Sequence, residues 1–240
     1  MSCKRINLIS GPRNISTALM YSFGNRPDTK VVDEPMYAYY LSRTEIEHPG
    51  KEQILKDLPS DLEVVKQTLL FNPLNTDYYF IKSMAHHYLE EEPDFLLDLN
   101  NVFLIRDPKK LISSFSNVIP NPSLRDIGIK RGYELYQYLI NNGKKCLVLD
   151  SGEVLKNPEK VLISLCEGLE IPFKKEMLHW KPGPRLEDGV WAKYWYKNVH
   201  QSSGFQKNIT KEVDLPERLI PLYEDTLPYY YKLYEESIKA

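Results

Sequence analysis

The stretch 4–23, KRINLISGPRNISTALMYSF, constrains this chain more than any other. It opens on a short apolar run, Ile6, Leu8 and Ile9, that reads as a buried strand. Gly11 and Pro12 break the run, and after Asn14 the positions Ile15, Ala18, Leu19, Ser22 and Phe23 recur at helical spacing. A strand, a glycine-containing turn and a helix in succession aim unpaired backbone N–H groups at the space before the helix, where an anion fits. Arg13 adds a fixed positive charge there, and Ser16 and Thr17 add hydroxyl donors in the first turn. Pro12, Arg13, Asn14, Ile15, Ser16 and Thr17 are therefore read as a phosphate cradle. The ordinary alternative is a strand-to-helix turn capped by Asn14 or Ser16. A Walker A loop is excluded, because no second glycine followed by Lys and Ser or Thr comes after Gly11.

The remainder alternates short strands with helical patterns. Strands are expected at 29–33 (TKVVD), 77–84 (DYYFIKSM), 101–105 (NVFLI) and 145–149 (KCLVL). A helix through Met36, Tyr37, Tyr40 and Leu41 follows Pro35, and further helices are expected at 51–57, 61–71, 124–141 and 159–168. A last helical segment at 215–239 is expected to break at Pro228. Connections longer than a dozen residues between strands imply a parallel sheet with right-handed crossovers. The fold expected is three-layer α/β/α around a central parallel sheet, with the second strand beside the first. The 240 residues, 42% hydrophobic and 27% charged, suit one domain spanning 1–240. A helical cap is expected at about 36–74. A lid loop is expected at about 177–205, where all three Trp fall among Pro182, Gly183, Pro184, Arg185 and Gly189.

Several chemistry-bearing residues sit where strands end, which is where open parallel sheets bind ligands. Glu34 follows the second strand, although an acid there also suits a helix N-terminus. Lys82 lies at the C-terminal end of the third strand, with His86 and His87 close behind. Arg106 closes the fourth, and Ser114 comes eight positions later, about two helical turns on.

Together these segments resemble the sulfotransferases that use 3′-phosphoadenosine 5′-phosphosulfate, a P-loop NTPase-like architecture. Pro12-Arg13-Asn14-Ile15-Ser16-Thr17 is similar to that family's 5′-phosphosulfate loop, with Arg13 at the basic position. Arg106-Asp107-Pro108 and Ser114 match its strand-end motif and following serine, a resemblance that assigns both residues to the 3′-phosphate. Glu153-Val154-Leu155-Lys156-Asn157-Pro158, the helix after it and Ile171-Pro172-Phe173 match a third conserved turn, helix and close. Lys82 lies where many members carry a strand-end lysine near the sulfuryl group. The resemblance also implies that the 177–205 segment folds over the donor, with Arg185 as a donor-binding residue. Two departures stand out: the loop has Ile15 where the family has glycine, and Met84 takes the place of a catalytic histidine. The catalytic set implied is Arg13, Lys82 and a general base that is Glu34, or else His86 or His87, with Asp33 a further choice. A P-loop kinase of small molecules and a non-catalytic nucleotide-binding protein are the competing readings.

A net charge of −2 argues against a nucleic-acid surface or a polybasic membrane patch. Cys3, Cys146 and Cys166 have neither the number for a disulfide framework nor a zinc-site spacing. No window approaches the ~20 apolar residues of a membrane span, and no apolar segment of signal length opens the sequence. A cytoplasmic protein without a metal is expected. Its partner is a small-molecule acceptor, with no nucleic acid and no membrane, and a homodimer is left open.

Overall fold

A computed structural model describes residues 3–206 and 213–240. Apolar runs with few polar breaks need a neighbour on each side, and the chain supplies them in one sheet. Its strands are β1 (Lys4–Ser10), β2 (Thr29–Asp33), β3 (Tyr78–Met84), β4 (Asn100–Ile105), β5 (Leu147–Asp150) and β6 (Ser237–Ile238). They pair in the order β2-β3-β1-β4-β5-β6, every pairing parallel. The α/β class and the parallel sheet follow the sequence expectation. The placing of β2 does not: β3 lies between β1 and β2. The reason is burial. β2 is short, begins Thr-Lys and is only half-buried, which suits an edge, whereas β3 is buried almost throughout and needs two neighbours.

Alternation along β1 sorts the core into two layers. Ile6 and Leu8 pack with Leu19, Met20 and Phe23 of the helix Ser16–Gly24 and with Val161, Leu162 and Leu165 of Pro158–Gly168. Ile9 packs on the other face, with Leu111 and Ile112 of Pro108–Ser116, Leu135 and Leu139 of Ile129–Asn141, and Tyr230 and Leu233 of Ile220–Glu235. A buried polar bridge joins the three central strands: Asn7 Nδ2 donates to Asn101 Oδ1 at 3.0 Å, and Ser83 Oγ donates to Asn7 Oδ1 at 2.9 Å. Asn7 and Asn101 are register partners, so a slip of one residue would strand buried amides.

Two helical expectations change. The 124–141 segment is two helices, Leu124–Ile127 and Ile129–Asn141, because Gly128 turns left-handed at φ 73°. The last helix runs unbroken through Pro228, which sits with Glu224 on the exposed side of the helix. The chain then adds β6, which had no sequence signal. Within 36–74, helices Tyr37–Ser42 and Lys51–Asp57 form a third cluster with Trp191 and Tyr196, while Val65 and Leu70 belong to the main core.

Gly11 is where the cradle meets the rest of the fold. A Cβ there would clash with the Ile127 carbonyl oxygen, a backbone atom rather than the end of a flexible side chain. Gly11→Ala is expected to lower the unfolding free energy by about 1–3 kcal/mol. A urea titration reads this as a lower midpoint at unchanged m.

Candidate active site

The loop after β1 bends through two left-handed residues, Arg13 at φ 59° and Ile15 at φ 63°, before the helix starts at Ser16. Ile15 stands at the N-cap and no side chain caps the helix, so neither Asn14 nor Ser16 takes that role. Asn14 instead donates from Nδ2 to the Leu104 carbonyl at 3.0 Å, tying the loop to β4. The first-turn N–H groups therefore point into open space. Arg13 Nε donates to Ser114 Oγ at 3.1 Å, and Arg106 donates to the Arg13 carbonyl. Burial, and for Arg106 next the Arg13 charge, draw both guanidinium groups below their ordinary pKa. Among the described residues neither is paired with a carboxylate. Two half-buried cations with no carboxylate in salt-bridge contact are suited to an anion, although Asp107 and Asp150 lie near enough to act on Arg106.

At the other end, register builds the chemistry. Asp33 and Lys82 are partners in the β2–β3 ladder, so their side chains share one face. Lys82 Nζ donates to Asp33 Oδ1 at 2.9 Å. Alternation would send residue 34 to the opposite face. Glu34 avoids this by turning left-handed, φ 44°, while its N–H still donates to the Lys82 carbonyl at 2.8 Å. Its carboxylate thereby reaches Lys82 Nζ as well. The third ammonium partner is the Tyr196 hydroxyl at 2.7 Å. Burial pulls the Lys82 pKa down, but Asp33 and Glu34 outweigh it, so Lys82 stays charged with a pKa above the ordinary value. Burial lifts the Glu34 carboxyl above the ordinary carboxylate range despite Lys82 beside it.

Beyond Glu34 lies an aromatic wall. The Tyr37 and Tyr40 rings stack on His87 at 4.6 and 4.8 Å, His86 meets His87 edge-on at 4.6 Å, and the Tyr37 hydroxyl lies 2.8 Å from His48 Nδ1. Burial pushes His86 down to about 3 and His87 well below 6.5, so both imidazoles are neutral.

One cleft of about 590 Å³ joins the two ends. Pro12, Arg13, Asn14, Ile15, Ser16, Thr17, Glu34, Lys82, His86, Arg106 and Ser114 all line it. Arg185 does not. Its guanidinium lies over the Tyr21 ring, 4.1 Å from the centroid, and donates to the Tyr21 carbonyl at 3.1 Å, so it serves the helix behind the cleft. Sequence reasoning missed Tyr196, Trp191 and His48. The density of Tyr and Trp in 177–205 is the one signal that points to the first two.

A family model described as "Sulfotransferase domain" matches residues 4–235. The chain belongs to the sulfotransferase domain family. Similar curated proteins are branched-chain-amino-acid aminotransferase-like proteins 1 and 2 of Arabidopsis thaliana. The first is 39% identical over 222 residues, covering 89% of this chain, and the second 36% identical over 226, covering 94%. The chain spans 40% of the length of each. Among solved structures, the sulfotransferase domain from the curacin biosynthetic pathway has a TM-score of 0.54 at 16% identity, covering 99% of both chains. The sulfotransferase from Alicyclobacillus acidocaldarius has a TM-score of 0.55 at 11% identity, covering 98% of this chain and 96% of that one. At such identities the likeness is one of fold: a P-loop-like sulfotransferase architecture. No helix among the described residues is long and apolar enough to cross a membrane.

The neutral histidines give the fold a definite acid response. His86 stays neutral when folded but takes a proton near 6.5 when unfolded. Stability is full above that value and falls below it, by about 1.4 kcal/mol per pH unit for one such group. His86→Asn removes one proton from this uptake. Urea titrations at several acid pH values should show a shallower loss of stability than the parent; an equal slope would contradict neutral burial.

Proposed function

We propose that this chain transfers a sulfuryl group from 3′-phosphoadenosine 5′-phosphosulfate to a hydroxyl, or an amine, of a small molecule. The observation that carries the reading is one cleft lined both by two cations without a salt-bridged carboxylate among the described residues, Arg13 and Arg106, and by a lysine–carboxylate pair, Lys82 and Glu34. Its volume of about 590 Å³ suits a nucleotide and a small acceptor. Arg106 and Ser114 are the residues to hold the 3′-phosphate. Arg13, Ser16, Thr17 and the helix N-terminus are the groups to hold the 5′-phosphosulfate.

In the transfer a new bond forms from sulfur to the acceptor oxygen, and the bond from sulfur to the 5′-phosphate oxygen breaks. Its electron pair leaves with the phosphate, where Arg13 and Lys82 meet the growing charge. Glu34 takes the acceptor's proton. It suits this better than His86: a base works best with a pKa near the working pH, and burial has lifted Glu34 but driven His86 down to about 3. Met84 lines the cleft without a proton to exchange.

Donor choice separates this reading from a kinase. 3′,5′-Bisphosphoadenosine is expected to raise the thermal midpoint and ATP to leave it unchanged; the reverse would favour the kinase. Arg106→Ala should cost at least ~2 kcal/mol of 3′,5′-bisphosphoadenosine binding by calorimetry, and a variant that discriminates the 3′-phosphate as well as the parent would overturn the assignment.

The base is tested by single-turnover transfer at saturating donor. Glu34→Gln should lose about 10²–10⁴-fold, with His86→Asn close to the parent. The parent rate should rise with pH through the Glu34 pKa, which lies above 4.5, and this limb should vanish in Glu34→Gln. A near-parental Glu34→Gln beside a crippled His86→Asn would move the role to the histidine.

A further inference from the structure

Tyr196 stands outside every sequence motif, yet its hydroxyl is the most fully engaged group in the cleft. A phenol has one proton to give and two lone pairs to receive. Trp191 Nε1 donates to it at 3.1 Å and Lys82 Nζ at 2.7 Å, and its own proton is shared with Asp33 at 2.8 and 2.7 Å from the two carboxylate oxygens. The residue is 4% exposed, and Trp191 is packed beside it in the third cluster. Burial first, then Asp33 and Glu34, push its pKa well above the ordinary value, so the hydroxyl keeps its proton.

The two carboxylates are held unequally. Asp33 accepts from Lys82, from Tyr196 and from the Gly189 N–H at 3.2 Å. Among the described residues, Glu34's side chain accepts from Lys82 alone, and Glu34 lines the cleft. We propose that Tyr196 is a positioning residue: its hydroxyl locks Lys82 and Asp33 to each other, so that Glu34 is the carboxylate left free to exchange a proton with the acceptor. The proposal rests on the sulfotransferase reading above. Lys82 has three N–H donors and three acceptors, Asp33, Glu34 and Tyr196. When Glu34 takes a proton its hold on Lys82 weakens. One ammonium N–H is then released toward the charge growing on the leaving group, while Tyr196 and Asp33 keep the ammonium in place. Proton uptake and leaving-group stabilisation are coupled through one lysine.

The charged and titratable groups that face Glu34 are Asp33 beside it in the chain, Lys82 on β3, Tyr37 on the helix Tyr37–Ser42 and Tyr196 from the 177–205 segment. Lys82 is the one cation among them. Without the Tyr196 hydroxyl the ammonium loses one of its three acceptors and is held less firmly beside Glu34. Glu34 loses counter-charge, and the acid limb of the rate moves to higher pH.

The test compares the full chain with Tyr196→Phe, which keeps the ring and its packing. Single-turnover release of sulfate from 3′-phosphoadenosine 5′-phosphosulfate to water is followed across the acid limb, so that no acceptor need be known. The expected result is a rate about 10–100-fold lower and an acid limb moved upward. The affinity for 3′,5′-bisphosphoadenosine should stay within about twofold, since Tyr196 contacts neither arginine. Independently of turnover, NMR of the protein with ¹⁵N-labelled lysine should show hydrogen exchange at the Lys82 ammonium quickened by about tenfold, the loss of one charge-assisted hydrogen bond. Trp191→Phe keeps the hydroxyl but removes one of its donors, and should move both readouts the same way by less. A parental rate, or a lowered rate with an unmoved acid limb and unchanged Lys82 exchange, overturns the proposal. If the parent itself releases no sulfate, the sulfotransferase reading fails, and the Lys82 exchange still decides whether Tyr196 holds the ammonium.

Discussion

A charged ammonium group buried to 1% exposure at the end of β3 is the constraint that the site has to satisfy. Removing one partner from such a buried pair costs about 3–5 kcal/mol, so Lys82 is tolerable only because its whole surroundings are matched to it. The matching begins in the backbone. Placing β2 against β3 rather than β1 puts Asp33 directly opposite Lys82. A left-handed turn at Glu34 brings the next carboxylate to the same face, and the 177–205 segment folds back to supply Tyr196. Sheet order, one unusual φ angle and a distant loop all serve a single charge.

Backbone strain gathers around the cleft. Among the described residues, Arg13, Ile15, Glu34 and Glu170 are the non-glycine positions with positive φ, and the first three line the cleft. Each costs about 1–3 kcal/mol, most plainly at Ile15, where a β-branched side chain occupies a conformation that suits glycine. The departure from the glycine of related loops therefore leaves the turn intact. Neighbouring contacts hold it there: Asn14 is tied to β4, Arg106 is bonded to the Arg13 carbonyl, and Gly11 is wedged under Ile127.

What could be read from the sequence was what the chain encodes locally. The β1–loop–helix unit, four of the other strands and the eight-residue step from Arg106 to Ser114 depend on periodicity and short spacing, and each lies where the pattern puts it. The order of the strands depends on how much surface each can bury, which a rule of sequential neighbours does not weigh. Tyr196 depends on a loop returning across 114 residues to Lys82. Arg185 illustrates the converse. The family resemblance implied a donor-binding role for it, yet its planar group lies over the Tyr21 ring and outside the cleft. β6, two residues long, carries no periodicity to find.

The neutrality of the histidines completes the electrostatic argument. A protonated imidazole in this wall would be a second buried cation repelled by Lys82. Stacking His87 between Tyr37 and Tyr40, with His86 edge-on beside it, makes that charge too expensive to carry. Arg13 and Arg106, with no carboxylate in salt-bridge contact among the described residues, line the cleft together with the uncharged rings of Tyr37, His86 and His87, and Glu34 answers to one lysine.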